Sequence, residues 1–152
     1  MPPKRIMIVE SYGNNLRSLS SHLAGSTLPL EILTATDGEM AIARLQREPA
    51  DLVIIDTLLR GRMDGFDLCR ALRSSTSNQH LPIILLLAGY LSLERSRGIL
   101  AGADLLLHRP VVKEELLKMI QLLVGSRFEV ATDSHLTLPE RYPLRRLRPV
   151  GL

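Results

Sequence analysis

The chain has 152 residues, one cysteine, no tryptophan and a formal net charge of +3, which fits a single domain with an ordinary hydrophobic core and no need of disulfides or a structural metal. Residues 1–125 carry 14 Lys and Arg against 13 Asp and Glu, so this body is almost neutral and we expect no nucleic-acid partner. No apolar stretch is long enough to span a membrane, the run at residues 6–9 is too short for a secretory segment, and the lone Cys69 is typical of a cytoplasmic protein.

Short apolar runs alternate with stretches of helical period, which is the pattern of βα units on a parallel sheet. The predicted strands are residues 5–9, 31–36, 52–56, 82–88 and 104–107. The predicted helices run from a cap at Asn14 or Asn15 to about Leu23, from a cap at Asp37 to Pro49, from about Phe66 to Ser74, from about residue 93 to 101, and from Pro110 to about Val124. Right-handed crossovers would cover both faces of the sheet, giving one domain at 1–125, while 126–152 is predicted to be a mostly irregular tail rich in arginine and proline.

Polar residues collect where these strands end. Glu10-Ser11 follows the first strand, Asp56 closes the apolar run of the third, and Arg109 follows the fifth. Ligands of open α/β sheets bind at the carboxyl ends of the strands, and a carboxylate is far less costly there than inside a buried strand. Asp56 is therefore the first candidate for a functional residue.

Five spaced segments identify a family that the chain resembles over about residues 4–124: IMIVE, LVIID, MDGFDLCRALR, LPIILLLA and GADLLLHRP. Together they are similar to the receiver domain of bacterial two-component response regulators. The resemblance implies a doubly wound, flavodoxin-like sheet of five parallel strands in the order 2-1-3-4-5. It also implies a cis peptide bond between Arg109 and Pro110.

The resemblance assigns roles to the strand ends. Asp56 would accept a phosphoryl group, and Arg109 stands in place of the lysine that pairs with that group. Phosphoryl transfer onto a carboxylate brings anions together, so a hard divalent ion such as Mg²⁺ is implied as well. Its ligands would be Glu10 through water, Asp56 and the backbone carbonyl of Leu58.

The chain departs from the family pattern at several of these positions. Ser11 replaces an acid that usually touches the metal, so Mg²⁺ binding should be weak or absent, and Ser11 is expected to be a simple turn residue. Leu87, before Ala88, stands where a hydroxyl usually reports the phosphoryl group, which makes this switch position degenerate. Leu106 replaces the usual aromatic switch and is expected to leave extra apolar area exposed.

These features predict a stand-alone receiver protein of a phosphorelay, and not an enzyme, because no glycine-rich nucleotide loop follows the first strand. Its partners would be a histidine kinase or phosphotransfer protein and, on the face formed by the fourth helix, fifth strand and fifth helix, a downstream protein or a second copy. The rival hypothesis is a pseudo-receiver that binds proteins without phosphorylation. Asp56 and Arg109 favour the first hypothesis, Ser11 and Leu87 favour the second, and Arg109 could equally serve only as an ion-pair partner of Asp56.

Overall fold

A computed structural model describes residues 2–125, in which five strands and five helices alternate along the chain. The strands are β1 Lys4–Val9, β2 Leu30–Ala35, β3 Leu52–Asp56, β4 Ile83–Leu87 and β5 Leu105–His108. The helices are α1 Gly13–Ala24, α2 Gly38–Arg47, α3 Gly65–Ser74, α4 Ser92–Ala101 and α5 Lys113–Val124. All neighbouring strands are parallel and their order is β2-β1-β3-β4-β5, as predicted. The predicted tail, 126–152, lies outside the described residues, and no helix within them is both long and apolar enough to cross a membrane.

Side chains leave each strand alternately toward two core layers, as the two-residue period of a strand requires. The layer under α1 and α5 includes Ile6, Ile8, Leu52, Ile54, Leu105 and Leu107. The layer under α2, α3 and α4 includes Met7, Val9, Val53, Ile55, Leu85, Leu87 and Leu106, together with Cys69 of α3, which is buried as a small core residue. In the layer under α1 and α5, the alternation ends at Ile8, Ile54 and Leu107. Two residues further along each strand it reaches Glu10, Asp56 and Arg109. The pleat thus directs the three charged residues to the same side of the sheet.

Most element ends lie within one or two residues of their predicted positions, and two predicted starts are wrong. Helix α1 begins at Gly13 after an extended Tyr12 rather than after an asparagine cap. Asn14 lies inside the helix, where its side chain accepts a hydrogen bond from Arg17. Helix α5 begins at Lys113, since Val112 before it is extended, so Pro110 precedes the helix instead of opening it. The Arg109–Pro110 bond is cis, as the resemblance implied.

The amino-terminal edge of the sheet, opposite the charged residues, is held by a buried ion pair. Arg73 of α3 donates from Nη2 to Asp104 Oδ2 at 2.7 Å, and the same oxygen accepts the backbone N–H of Ile83 at 2.8 Å. Arg73 also donates to the carbonyl oxygens of Gly102 and Leu81. One guanidinium therefore joins α3 to the starts of β4 and β5.

Helix α4 lies close to the sheet because residue 98 is a glycine. A Cβ added to Gly98 would be 2.6 Å from Cδ2 of Leu106, which is too close for two carbon atoms. Leu106 is only 1% exposed under this helix, so the expectation that it leaves apolar area on the surface is wrong. The exposed apolar groups near this face come from Leu91, Leu93 and Leu100 instead.

Candidate functional site

Three charged side chains meet at the carboxyl ends of β1, β3 and β5. Arg109 donates from Nε to Asp56 Oδ2 at 2.9 Å, and from Nη2 to Glu10 Oε1 at 2.7 Å. Nη2 also contacts Asp56 Oδ2. Glu10 is fully buried and Asp56 is 2% exposed, so a single guanidinium neutralises one of two buried carboxylates that lie side by side. We call Glu10, Asp56 and Arg109 the charged triad.

Backbone amides donate to the two carboxylate oxygens that Arg109 does not contact. Each acid accepts the amide of a residue just after it: Ser11 N donates to Glu10 Oε2 at 3.0 Å, and Leu58 N donates to Asp56 Oδ1 at 2.7 Å. All four carboxylate oxygens of the triad thus have a protein donor. Hydrogen bonds to an ionised carboxylate favour its charged form and fix its orientation.

Ser11 has a role that the sequence did not reveal. Its hydroxyl donates to the carbonyl oxygen of Thr36 at 2.6 Å and accepts the backbone N–H of Arg60 at 2.8 Å. The guanidinium of Arg60 lies over the ring of Tyr12, 4.6 Å from its centroid. Ser11 therefore ties together the loops that follow β1, β2 and β3, so it is more than the simple turn residue that was predicted.

The approach of α3 to the triad depends on Gly65. A Cβ at this position would overlap the carbonyl oxygen of Asp56 and the Cα of Thr57. The absence of a side chain lets Gly65 N donate to the Thr57 carbonyl at 3.0 Å, while Asp64 caps the helix by accepting from Asp67 N. The Asp64-Gly65 pair thus anchors α3 directly behind β3.

Leu87 and Ala88 lie beside the triad but do not contact it through polar groups. Leu87 is fully buried in the layer under α3 and α4, and Ala88 is exposed just after β4. Residue 57 pairs with residue 87 if the register of β3 and β4 continues by one step, and Thr57 has a buried hydroxyl that makes no hydrogen bond within the described residues. Sequence reasoning passed over Thr57, although its place directly after Asp56 was a signal.

Burial dominates the electrostatics of Glu10. Loss of water around the carboxylate raises the pKa of Glu10 above its ordinary value, and the nearby charge of Asp56 raises it further. The Arg109 guanidinium opposes both effects but is the smaller influence. A carboxylate with a raised pKa in the folded state costs stability once it is ionised.

We expect Glu10→Gln to be more stable than the wild type at neutral pH. In the wild type, the folded pKa of Glu10 lies above the unfolded one, so stability is fully present below about pH 4.5 and is lost as the pH rises through the folded pKa. Glutamine carries no charge and keeps an acceptor for Arg109, and we expect removal of the buried charge to outweigh the loss of the hydrogen bond from Ser11 N, which the amide nitrogen cannot accept. Chemical denaturation between pH 4 and pH 8 measures the difference in stability, which should widen as the pH rises through the folded pKa of Glu10 and stay constant above it.

The matched control is Glu31→Gln, which removes an exposed carboxylate of β2. Its stability should follow pH as that of the wild type does, because exposed ion pairs contribute little. A Glu10→Gln variant that is less stable than the wild type at pH 7 would contradict the assignment of Glu10 as a costly buried charge.

The residues of the site do not fit the magnesium ion that the resemblance implied. Within residues 2–125 no group of three His, Cys, Asp or Glu side chains is placed to hold a metal. Ser11 stands where a third acid would be, and its hydroxyl is already bonded on both sides. The guanidinium of Arg109 occupies the space between the two acids.

Comparison with known proteins agrees with this fold. Residues 6–121 match the family described as the response regulator receiver domain. The chain is similar to the response regulator PleD of Caulobacter vibrioides, with 31% identity over 129 residues, which cover 85% of this chain and 27% of PleD. The chain therefore spans about a quarter of that relative's length.

Two solved structures are also similar. A putative response regulator from Chloroflexus aurantiacus has 29% identity and a TM-score of 0.74, over 79% of this chain and 96% of that one. The receiver domain of a sensor histidine kinase from Pseudomonas aeruginosa has 26% identity and a TM-score of 0.70 over the same shares, and it has a magnesium ion coordinated in its active-site cleft. Both likenesses cover nearly the whole of the solved chain.

Proposed function

The chain belongs to the response regulator receiver family, and on that premise we propose that it accepts a phosphoryl group on Asp56 from a histidine kinase or a phosphotransfer protein. Receiver domains of this family are signalling modules of two-component systems. In this proposal the chain passes its signal on by protein contact rather than by catalysing a reaction of its own.

The contact between Arg109 and Asp56 is the observation that carries the proposal. During transfer an oxygen of Asp56 forms a bond to phosphorus, the bond from phosphorus to the donor imidazole nitrogen breaks, and its electron pair stays on that nitrogen. Arg109 then moves its hydrogen bonds from the carboxylate to the phosphoryl oxygens. The planar guanidinium matches the geometry of these oxygens. A fixed cation beside the transferred group is the main help that a protein gives to phosphoryl transfer.

A second candidate function is a pseudo-receiver that binds its partner without phosphorylation. The burial of Leu87 and Leu106 favours it, because neither side chain offers a hydrogen-bond donor to a phosphoryl group and both are held in the core. A ligand shifts a conformational equilibrium only through contacts that differ between the two states. The face formed by α4, β5 and α5 would then bind a downstream protein or a second copy constitutively, through exposed residues such as Leu93 and Leu100.

Labelling separates the two candidates. We expect acetyl phosphate or a histidine kinase to add one acid-stable, base-labile phosphoryl group, and mass spectrometry should place it on Asp56. Asp56→Asn should remove the label. Asp51→Asn, an exposed aspartate at the other end of β3, should retain it.

Label that persists in Asp56→Asn would show that the acceptor is another residue. A wild-type protein that takes no label from any donor would favour the pseudo-receiver. The cytoplasmic location, and the lack of nucleic-acid and membrane partners, stay predictions from composition.

A further inference from the structure

We propose that Arg109 is the resident cation of the acid pocket, and that it takes the place which a divalent metal ion has in the magnesium-bound relative. A metal ion could then enter only by displacing the guanidinium. The purpose assigned to the pocket rests on the proposed function. The role of Arg109 as the resident cation concerns the unphosphorylated protein and can be tested without any phosphoryl donor.

The charge of the pocket is the first argument. Two carboxylates with almost no exposure to water require a positive partner, since an uncompensated buried charge is very costly. Arg109 is the only cation that forms an ion pair with Glu10 or Asp56 among the described residues, and it contacts both. Its own side chain is 21% exposed, so the cation is itself largely withdrawn from water.

The oxygen atoms are the second argument. Magnesium demands oxygen ligands at about 2.0–2.1 Å in octahedral geometry. Arg109 donates to Glu10 Oε1 and Asp56 Oδ2, while backbone amides hold Glu10 Oε2 and Asp56 Oδ1. A metal ion that approached the oxygens facing Arg109 would meet a second cation a few ångströms away, and the two would repel each other.

The third argument is that arginine engages the two acids with two nitrogens, whereas lysine has one: Nη2 contacts both Glu10 and Asp56, and Nε adds a second bond to Asp56. The guanidinium uses Nε toward Asp56 and Nη2 toward Glu10 in one plane. A lysine ammonium is a single nitrogen on a flexible stem, so even if it contacted both acids it would lack the second bond to Asp56 and would be displaced more easily by a metal ion. Ser11 cannot restore a third ligand while its hydroxyl is bonded to Thr36 and Arg60.

Titration with Mg²⁺ alone, followed by backbone amide shifts and by calorimetry, tests the proposal. In the wild type, changes around residues 10 and 56 should appear only at much higher Mg²⁺ concentrations than in Arg109→Lys. Replacing a group that holds a ligating side chain usually alters metal affinity by about 10- to 100-fold, so Arg109→Lys should bind Mg²⁺ more tightly by a factor in this range. Adding Ser11→Asp to Arg109→Lys supplies a third acid and should give the tightest site of the series.

Two further variants keep the test decisive. Arg62→Lys makes the same change at an exposed arginine of the loop after β3 and should leave Mg²⁺ binding as in the wild type. If Arg109→Lys does not fold, Mg²⁺ titration of Ser11→Asp alone tests the proposal. With Arg109 still in place, the added acid should raise the affinity for Mg²⁺ only slightly.

Saturable Mg²⁺ binding by the wild type that is as tight as that of Arg109→Lys would overturn the proposal. So would a large gain in affinity from Ser11→Asp alone. Failure of the proposed function is detected separately, by the absence of label on Asp56, and neither result determines the other.

Discussion

Arg109→Met should lower the free energy of unfolding by about 3–5 kcal/mol at pH 7, as is usual when one partner of a buried ion pair is removed. Methionine preserves much of the side-chain volume, so the loss comes mainly from charge. It leaves Glu10 and Asp56 buried next to each other with no cation between them. Chemical denaturation measures the change directly.

The pH dependence of this loss identifies its cause. The pKa of Glu10 is already raised, and Arg109 is one of the groups that hold it down, so the variant should raise it further. Its deficit relative to the wild type should therefore shrink as the pH falls toward 4.5 and Glu10 takes up a proton. Adding Asp56→Asn to Arg109→Met should recover part of the loss at pH 7, whereas Arg62→Met should change stability little. A deficit that is the same at every pH would point to lost packing instead.

Arg73→Met should cause a loss of similar size, about 3–5 kcal/mol, at the opposite edge of the sheet. The substitution strands the carboxylate of Asp104, which is 6% exposed, and removes the donors to two backbone carbonyls at the start of β4 and β5. Asp104 keeps the amide of Ile83 as a donor, which is too little to compensate for the lost cation. Denaturation at neutral pH, with phosphorylation of Asp56 measured in parallel, checks the effect on the fold and on the site.

The same helix offers a matched control. Arg70 pairs with Asp67 one turn away, and both side chains are about half exposed. Arg70→Met should therefore cost no more than about 1 kcal/mol, the usual upper value for a surface pair. Equal losses in the two variants would show that helix propensity, and not the buried pair, is responsible.

The fold was predictable because short continuous apolar runs, typical of buried strands, alternate in the sequence with stretches of helical period. Continuous apolar runs such as Ile83–Leu87 can be satisfied only between two layers of helices, and the residues that begin and end the helices, such as Asp37 and Gly102, have the conformations expected of them. The starts of α1 and α5 were less predictable. They depend on local hydrogen bonding and backbone angles that composition does not encode.

The members of the site were predictable, but their connections were not. Strand ends gave Glu10, Asp56 and Arg109, since parallel strands bring their carboxyl ends to one edge. Which oxygen each donor takes, and that one guanidinium spans both acids, depends on side-chain geometry over 99 residues of sequence separation. Ser11 was read as a lost acid, whereas its partners, Thr36 and Arg60, could be found only in three dimensions.

Because Gly98 packs closely on Leu106, a substitution at one of these two positions restricts which residues fit at the other. Volume added at one of them requires the side chain of Leu106 to move, volume to be removed at the other position, or α4 to shift outward. Grafting an aromatic residue onto position 106 alone would therefore not convert this domain into one with a rotating side chain there. We expect sequences that carry a bulkier residue at 98 to carry a smaller one at 106, so the history of the pair should be visible as correlated substitution.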